Sequence, residues 1–305
     1  MTSPHPLSAA SLFSLKDYVA VVTGGGTGLG LMIAQTLAAN GAKVYITGRR
    51  ADVLETSARV HGSKERLGPD GGSMVPLVMD VTSKDSIRKA VAEISDKENY
   101  VNVLVNNAGI WAGRPEKKPQ DGPEAFSEAI LQDEKVENWH RAFDVNCLAA
   151  YFVTAAFLPL LAKAVSGPTG KIGNVVNNSS MAGFMRMSQG CQFSYNVTKA
   201  AVSHLTRQMA YEFSHKEINV RVNGLALGYF ATEMTTGESN TENESTPDDE
   251  KFAGFLANMG CTKVNRFGTP QEAASILLTV VTNEFMWGTI SIVDGGFVLT
   301  LPGNM

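Results

Sequence analysis

Two side chains that could move a proton lie one helical turn apart. Tyr195 and Lys199 have the i,i+4 spacing that places both on one face of a helix. A phenol with its ordinary pKa of about 10 is a poor proton donor at neutral pH, and an adjacent ammonium stabilises the phenolate and lowers that pKa. Tyr195 is therefore a candidate general acid for reducing a carbonyl, or a base for oxidising an alcohol.

Ser180 lies fifteen residues before Tyr195, at the end of a predicted strand. Its hydroxyl could hydrogen-bond a substrate carbonyl oxygen and stabilise the alkoxide charge that develops during hydride transfer. Ser179 is the competing choice, and both serines could also simply end the strand. The spacing of a tyrosine and a lysine is common by itself, so the chemistry depends on what surrounds them.

A glycine-rich loop precedes the first predicted helix of the sheet region. Residues 23–30 read TGGGTGLG, with the glycine spacing GxxxGxG. Glycines permit a tight turn and let the backbone approach a pyrophosphate, which the positive end of the helix attracts. Because the loop joins a strand to a helix, it predicts dinucleotide binding. The candidate cofactor-binding residues here are Gly24, Thr27, Gly28, Leu29 and Gly30.

The end of the second predicted strand indicates which dinucleotide binds. A site for NAD usually has an acid about 20 residues after the loop, which binds the ribose 2′-hydroxyl. That position is followed here by Arg49 and Arg50, whereas the first acid, Asp52, is predicted to cap the next helix. A guanidinium binds a 2′-phosphate that a carboxylate would repel. The two arginines therefore favour NADP, unless they only solvate a surface loop.

An alternation of strands and helices must position these groups. Strands are predicted at residues 18–23, 43–47, 74–79, 101–105, 171–177, 218–225 and 289–293. Helices are predicted at 31–40, 52–60, 83–95, 136–164 (kinked near Pro159), 194–213 and 270–281, with a polar loop at 62–72. This order predicts a doubly wound α/β fold of the Rossmann type. Its mainly parallel, seven-stranded sheet would lie between two layers of helices.

We predict one domain over residues 1–305, with two long insertions at about 112–137 and 229–269. Both follow the carboxyl ends of predicted strands, where ligands of open α/β sheets bind, so the insertions could cover the site. Residues 237–250 contain six acids and no base, a composition typical of a mobile, solvated stretch. The alternative is that both insertions merely decorate the surface.

Composition limits the class of protein. Of the 305 residues 44% are hydrophobic and 18% charged, enough for a large buried core. The net charge of −4 provides no basic surplus for a nucleic acid, and no apolar run of 18 residues predicts a membrane span. The N-terminal 15 residues do not resemble a signal peptide. The cysteines and the five histidines show no disulfide or metal spacing, so we expect a cytoplasmic protein without metal; the cysteines are Cys147, Cys191 and Cys261.

Further motifs make the chain similar to the short-chain dehydrogenase/reductase family, in the branch with TGxxxGxG and YxxxK signatures. The match covers almost the whole length and includes NNAG at residues 106–109, DV at 80–81 and GYFAT at 228–232. The resemblance implies that Asn146 anchors a water for proton relay and that Lys199 also binds the nicotinamide ribose. It gives catalytic roles to Ser180, Tyr195 and Lys199. It implies cofactor contacts for Asp80, Val81, Asn107, Ala108, Gly109, Tyr195, Gly228, Phe230 and Thr232.

Two features depart from the family pattern. Leu227 precedes Gly228 where the family usually has proline, and the interval between Ser180 and Tyr195 is two residues longer than usual. The longer loop leaves room over a substrate and keeps Ser179 open as an alternative. The family also implies a homotetramer in which predicted helices 136–164 and 194–213 pack across a two-fold axis, and a dimer is the alternative.

Apolar side chains surround the predicted reactive centre. Because methionine adapts to irregular apolar shapes, a bulky or acyl-type ketone fits better than a sugar, although ordinary core packing explains these residues equally well. The motifs are most similar to the subset of 3-oxoacyl-carrier-protein reductases, which includes reductases of secondary metabolism. The side chains are Trp111, Met181, Phe184, Met185, Met187, Phe193, Tyr229, Phe230, Phe252, Phe255 and Leu256.

Taken together, the residues predict an NADPH-dependent reductase of a carbonyl substrate. Ser180 would polarise the carbonyl oxygen, Tyr195 would deliver the proton, and Lys199 would lower the pKa of Tyr195. One alternative is an NAD-dependent alcohol dehydrogenase of the steroid or polyol type. Another is a cofactor-binding homologue that no longer turns over.

Overall fold

Seven parallel strands form one sheet at the centre of the computed structural model, which describes residues 5–258 and 264–300. The strand order is β3-β2-β1-β4-β5-β6-β7, so the winding direction reverses between β1 and β4. This order confirms the predicted doubly wound fold. Cys261 lies outside the described residues. The strands are β1 (Val19–Thr23), β2 (Lys43–Gly48), β3 (Ser73–Val78), β4 (Val103–Asn106), β5 (Asn174–Asn178), β6 (Arg221–Leu227) and β7 (Ile290–Val293).

Helices connect the strands and cover both faces of the sheet. Short 3-10 turns occur at Pro119–Asp121, Ala164–Ser166, Met181–Gly183 and Val298–Thr300, and a π-helical segment at Asp144–Leu148. The α-helices are α1 (Ala9–Leu12), α2 (Gly28–Ala39), α3 (Ala51–His61), α4 (Lys64–Leu67), α5 (Lys84–Ser95), α6 (Pro123–Asp133), α7 (Val136–Phe143), α8 (Ala149–Ala162), α9 (Phe193–Glu212), α10 (Glu233–Thr236), α11 (Asp249–Asn258) and α12 (Pro270–Thr282).

The core consists of two apolar layers, one on each face of the sheet. One layer joins the sheet to α2 and α12, for example through Leu37 and Leu277, and the other joins it to α5, α8 and α9 through residues such as Phe157 and Met209. All five residues of β1 and all seven of β6 are buried. Central parallel strands are covered on both sides, which explains their nearly continuous apolar sequences.

The long predicted helix 136–164 is interrupted at a different point from the one predicted. The helix continues through Pro159, whereas the interruption is the π-helical segment Asp144–Leu148 between α7 and α8. This segment contains Asn146, where the family resemblance places a helix kink. The run Val136–Ser166 is apolar and long enough to span a membrane, but half of its most apolar window is buried against the rest of the protein.

Two local predictions near α3 are wrong. Arg50 rather than Asp52 is the N-cap of α3, and Asp52 lies in the first turn, where its carboxylate still faces the positive helix end. The predicted polar loop 62–72 contains the short helix α4. By contrast, Gly41 ends α2 as expected, with a φ of 105° that favours glycine.

Both insertions contain helices and reach the carboxyl edge of the sheet. The first holds α6, and the Nζ of Lys118 donates to the carbonyl of Gly190 in the loop that follows Ser180. The second holds α10 and α11. Residues 237–250, predicted as mobile and solvated, instead make specific contacts: Glu242 pairs with Arg66 at 2.8 Å, and Asn243 bonds to α3.

Candidate active site

A cleft of about 530 Å³ opens at the carboxyl ends of the central strands. It brings together residues that are scattered over more than 200 positions of the sequence. Of the predicted site residues only Asn146 and Phe230 do not line it. The predicted residues that do are Gly24, Thr27, Gly28, Leu29, Gly30, Arg49, Arg50, Asp80, Val81, Asn107, Ala108, Gly109, Ser180, Tyr195, Lys199, Gly228 and Thr232.

The glycine loop is held in a conformation that leaves its backbone open to the cleft. Gly24 and Gly28 have φ values of 62° and 52°, which side-chain-bearing residues rarely adopt. A Cβ on Gly30 would lie 2.0 Å from the carbonyl oxygen of Gly24, so no side chain fits there. Asn107 fixes the loop because its Nδ2 donates to the carbonyls of Thr23 and Gly24, at 3.0 and 3.1 Å.

The residues of the cleft fit a dinucleotide. The loop joins β1 to the N-terminus of α2, so free backbone N–H groups and the helix dipole face the position of a pyrophosphate. Two buried oxygens on the cleft wall, Oγ1 of Thr47 and Oδ1 of Asn178, have no hydrogen-bond partner among the described residues. Buried polar atoms are normally satisfied, so these two atoms indicate a polar ligand.

The adenosine end of the cleft carries charges of both signs. Arg49 and Arg50 line it as predicted, but the guanidinium of Arg50 pairs with the carboxylate of Glu233, with Nη2 3.0 Å from Oε2. The pKa of Asp80 lies below its usual value. Burial raises this pKa, but hydrogen bonds from Thr82 and the nearby charge of Arg49 lower it by more. A 2′-phosphate would therefore meet two cations and two carboxylates here.

Ser180 and Tyr195 form the reactive pair at the other end. The Ser180 hydroxyl acts on the Tyr195 phenol and lowers its pKa, and it accepts a hydrogen bond from the Ala182 backbone N–H. The hydroxyl of Ser179 points elsewhere, donating to the carbonyl of Lys199 and contacting the Ser203 hydroxyl. The geometry therefore favours Ser180 over Ser179.

Lys199 lies beneath Tyr195, with its Nζ 5.7 Å from the centre of the phenol ring. Burial lowers the pKa of Lys199 to about 8, and the nearby Cys147 thiol opposes this effect. Burial raises the pKa of Tyr195, and the bond to Ser180 opposes this. The expected lowering of the Tyr195 pKa by Lys199 is thus not found in this structure, in which burial is the larger effect and Ser180 is the group that opposes it.

Asn146 lies behind the cleft instead of on its wall. Its Oδ1 accepts a hydrogen bond from the Ile110 N–H, while its Nδ2 donates to the Ile110 carbonyl and to Thr198 Oγ1. Both amide hydrogens are therefore used within the protein. The side chain therefore holds the segment after NNAG, and the anchoring of a water by Asn146 stays a prediction.

Phe230 also departs from its predicted place. Its ring packs against Gly268 and lines a separate cavity of about 220 Å³ with Phe252 and Phe297. Two further residues that line the cleft, Asn178 and Glu233, were not predicted from the sequence. Asn178 could have been found as the last residue of β5, directly before the serine pair. No local pattern marks Glu233.

Both insertions contact the loop between Ser180 and Tyr195. Gln189 and Cys191 have positive φ values of 51° and 69°, and Nε2 of Gln189 donates to the Tyr229 hydroxyl at 2.8 Å. Met181 packs with aromatic side chains of the second insertion, including Phe252 and Phe267. Six of the apolar residues singled out from the sequence belong to this cluster: Met181, Met185, Met187, Tyr229, Phe252 and Leu256.

Metal ligands do not converge at this site. Within residues 5–258 and 264–300 no group of three or more histidine, cysteine, aspartate or glutamate side chains could hold an ion. The free thiols Cys147 and Cys191 are both buried.

Comparison with known proteins agrees with this geometry. Residues 18–243 match the family model described as short chain dehydrogenase. The chain is 34% identical over 301 residues to the short-chain dehydrogenase/reductase PhomF of Diaporthe leptostromiformis, covering 98% of this chain and 97% of the relative. It is 30% identical over 297 residues to gluconate 5-dehydrogenase of Gluconobacter oxydans strain 621H, covering 97% and 100%. The solved Pseudomonas aeruginosa RhlG/NADP active-site complex superimposes with a TM-score of 0.71 at 26% identity, covering 94% of this chain and 98% of that one.

Proposed function

The chain belongs to the short-chain dehydrogenase/reductase family of oxidoreductases, and from that premise we propose that it is an NADPH-dependent reductase of a bulky, apolar or acyl-type ketone. The observation that carries the proposal is the single cleft in which Arg49 and Arg50 stand at one end and Ser180, Tyr195 and Lys199 at the other. This arrangement would bind a phosphorylated dinucleotide along the cleft and leave its reactive end beside a proton donor.

The cofactor preference rests on charge. Arg49 and Arg50 place two guanidinium groups at the adenosine end, and such groups bind a phosphate better than a ribose hydroxyl. RhlG, a structural neighbour of this chain, was solved with NADP. Reduction is the direction that a cellular NADPH supply would support.

The chain's own residues perform the remaining steps of a carbonyl reduction. NADPH, when bound, supplies the hydride. Ser180 and Tyr195 together bind the carbonyl oxygen, and the phenol O–H donates its proton to that oxygen as negative charge develops. The Lys199 ammonium, held by the Asn178 carbonyl at 2.8 Å, stabilises the phenolate that is left and binds the ribose of the cofactor.

The substrate class follows from the wall beside Ser180. Met181, the residue that follows Ser180, forms one cluster with Met185, Met187 and aromatic residues of the second insertion. Methionine side chains adapt to irregular apolar shapes, so the wall suits a bulky or acyl-type group better than a sugar. A place in secondary metabolism would fit such a substrate.

A pair of titrations tests the cofactor proposal. Purified protein is titrated with NADPH and with NADH while nicotinamide fluorescence is followed. We expect tighter binding of NADPH, and we expect Arg49→Gln to weaken NADPH binding about tenfold with little effect on NADH. The matched control is Arg59→Gln, which removes an exposed arginine from the far end of α3. Equal or tighter binding of NADH would contradict the proposal.

A second candidate is an NAD-linked alcohol dehydrogenase. Glu233 favours it, because a carboxylate in the adenosine end of the cleft can accept hydrogen bonds from ribose hydroxyls. Gluconate 5-dehydrogenase is among the relatives of this chain. Tighter NADH binding, together with oxidation of a polyol or secondary alcohol, would select this candidate.

We further propose that the protein is a homotetramer. Large apolar side chains are exposed on α8 and α9, the helices that the family resemblance places across a two-fold axis; among them are Tyr151, Val197 and Tyr211. Light scattering coupled to size-exclusion chromatography tests this assembly. A mass near that of four chains is expected, a mass of two chains would select the dimer, and a monomer would contradict both.

A further inference from the structure

Glu233 stands opposite Arg50 although the two residues are 183 positions apart in the sequence. Both carboxylate oxygens face the guanidinium, with Nη2 3.0 Å from Oε2 and Nη1 3.5 Å from Oε1. Both residues line the cleft at its adenosine end. The cation that the proposed function assigns to a 2′-phosphate is therefore already paired.

The position of Glu233 is fixed by a segment that we name the strap, residues 233–245. Along the strap, Asn243 donates from Nδ2 to the Val53 carbonyl at 3.0 Å and to Ser57 Oγ at 2.8 Å. Ser57 in turn donates to the carbonyl of Gly26 in the glycine loop at 2.7 Å. The strap thus lies along α3 and is connected to the phosphate loop.

The far end of the strap is anchored as well. The fully buried His61, at the end of α3, shares a 2.7 Å hydrogen bond with the Glu242 carbonyl, and the side chain of Glu242 pairs with Arg66. The strap therefore contacts α3 near the start, the middle and the end of the helix. These contacts restrict the position of Glu233, which begins the strap.

We propose that Glu233 is a cofactor-selectivity residue that competes with the 2′-phosphate of NADPH for Arg50. The inference rests on the proposed function, because it takes Arg50 as a ligand of that phosphate. A 2′-phosphate near Arg50 meets the Glu233 carboxylate, so NADPH binding must break the ion pair and overcome repulsion between like charges. NADH carries no phosphate there, and its ribose hydroxyls can donate to the same carboxylate.

The consequence is that Glu233 reduces the preference of the protein for NADPH over NADH. Arg49 and Arg50 favour the phosphate, and Glu233 opposes it. Since the Arg50–Glu233 pair is partly exposed to solvent, its effect on the preference is expected to be modest. A prediction made from Arg49 and Arg50 alone therefore overestimates the selectivity for NADPH over NADH.

The test compares two glutamates of the same strap. Glu233→Gln removes the carboxylate that lines the cleft, and Glu238→Gln removes an exposed one that does not line it. Dissociation constants for NADPH and NADH are measured by nicotinamide fluorescence on each variant, and thermal unfolding establishes that both are folded. We expect Glu233→Gln to raise the preference for NADPH roughly three- to tenfold and Glu238→Gln to leave it unchanged.

A double-variant cycle separates selectivity from a structural effect. In the Arg50→Gln background, Glu233→Gln is expected to raise the preference for NADPH by a smaller factor than in the wild-type background, because the competition for Arg50 is gone and only the direct repulsion of the phosphate remains. If Glu233→Gln changes both dissociation constants by the same factor, the inference is overturned while the proposed function stands. If the wild-type protein binds neither nucleotide, both are overturned.

Discussion

The Nζ of Lys199 lies 2.8 Å from the carbonyl oxygen of Asn178, the last residue of β5. The Nδ2 of Asn178 in turn donates to Oδ1 of Asn107, whose own Nδ2 holds the glycine loop. One chain of hydrogen bonds therefore joins the proton-transfer site to the phosphate loop. The sheet edge fixes both ends of the cleft relative to each other, which is what hydride and proton transfer to one substrate require.

Replacing Tyr195 tests whether the chain is a catalyst. Tyr195→Phe removes the phenol hydroxyl, whose pKa Ser180 lowers, and leaves the ring in place. We expect the rate of ketone reduction to fall by about 10²–10⁴-fold, since a positioned general acid contributes that much. Consumption of NADPH in the presence of ketones measures the rate, with the NADPH dissociation constant as control, expected within about twofold of wild type.

Activity that survives this substitution would show that Tyr195 is not the acid. If the wild-type protein binds NADPH yet reduces no carbonyl, this result supports the alternative that the protein is a cofactor-binding homologue without turnover.

The pH dependence of reduction follows from Lys199. Its pKa is lowered by burial to about 8, so the ammonium is present below that pH and is lost as the pH rises through it. Since reduction needs both the ammonium and a protonated phenol, kcat/KM is expected to be level near neutral pH and to fall above about 8. A pH profile of kcat/KM measures this.

Lys199→Arg provides the matched variant, because arginine keeps its charge over the whole range. We expect a lower rate at every pH and no decline near 8. A decline at the same pH in this variant would assign it to another group.

The glycine loop makes a steric prediction. In Gly30→Ala the new Cβ would lie 2.0 Å from the Gly24 carbonyl oxygen, so the backbone must move. We expect a loss of about 1–3 kcal/mol in the free energy of unfolding and at least tenfold weaker binding of both nucleotides. Urea unfolding and nucleotide titration measure the two effects.

Gly254→Ala in α11 is the control, because a Cβ there meets nothing within 4 Å. It is expected to leave nucleotide binding unchanged and to stabilise the helix slightly. Equal effects of the two substitutions would refute the steric argument.

Asn107 makes an electrostatic prediction. Asn107→Asp keeps the shape but turns an amide donor into a carboxylate facing the carbonyl oxygens of Thr23 and Gly24. We expect a loss of about 1–3 kcal/mol of stability, as for buried acceptors left without a donor, and weaker binding of NADPH and NADH alike.

Asn102→Asp, at the opposite end of β4, is its counterpart. There the acceptor Oδ1, which receives the Val19 N–H, is retained. Nucleotide binding should not change in this variant, and a loss of binding equal to that of Asn107→Asp would argue against a specific role for Asn107 in the loop.

Much of the fold followed from local sequence. The strands and the helices between them carry apolar patterns that depend only on neighbouring residues, and the strand boundaries agree to within about three positions. Tyr195, Lys199 and the glycine loop were predictable for the same reason, because each is a short motif within one helix or turn. Where local signals competed, the prediction was wrong: the cap of α3 is Arg50, although Asp52 is the better capping residue.

The interruption of the long helix could not be read from its own residues. Proline is a strong local signal, yet α8 continues through Pro159, and the π-helical segment occurs where Asn146 bonds to Ile110, 36 positions away. The prediction that residues 237–250 are mobile and solvated was wrong for a similar reason. Its composition is typical of a solvated chain, whereas its partners His61 and Arg66 lie on the segment after β2.

The sequence by itself determined the strands, the helices and the placing of Tyr195 and Lys199 one turn apart on α9, because these depend on residues close together along the chain. Only the tertiary structure decided which groups share the cleft. It turned Ser180 rather than Ser179 towards Tyr195, assigned Asn146 to holding Ile110, and brought Glu233 to Arg50. Charges act through space, so the partner of Arg50 is set by the path of the strap and not by the residues next to it.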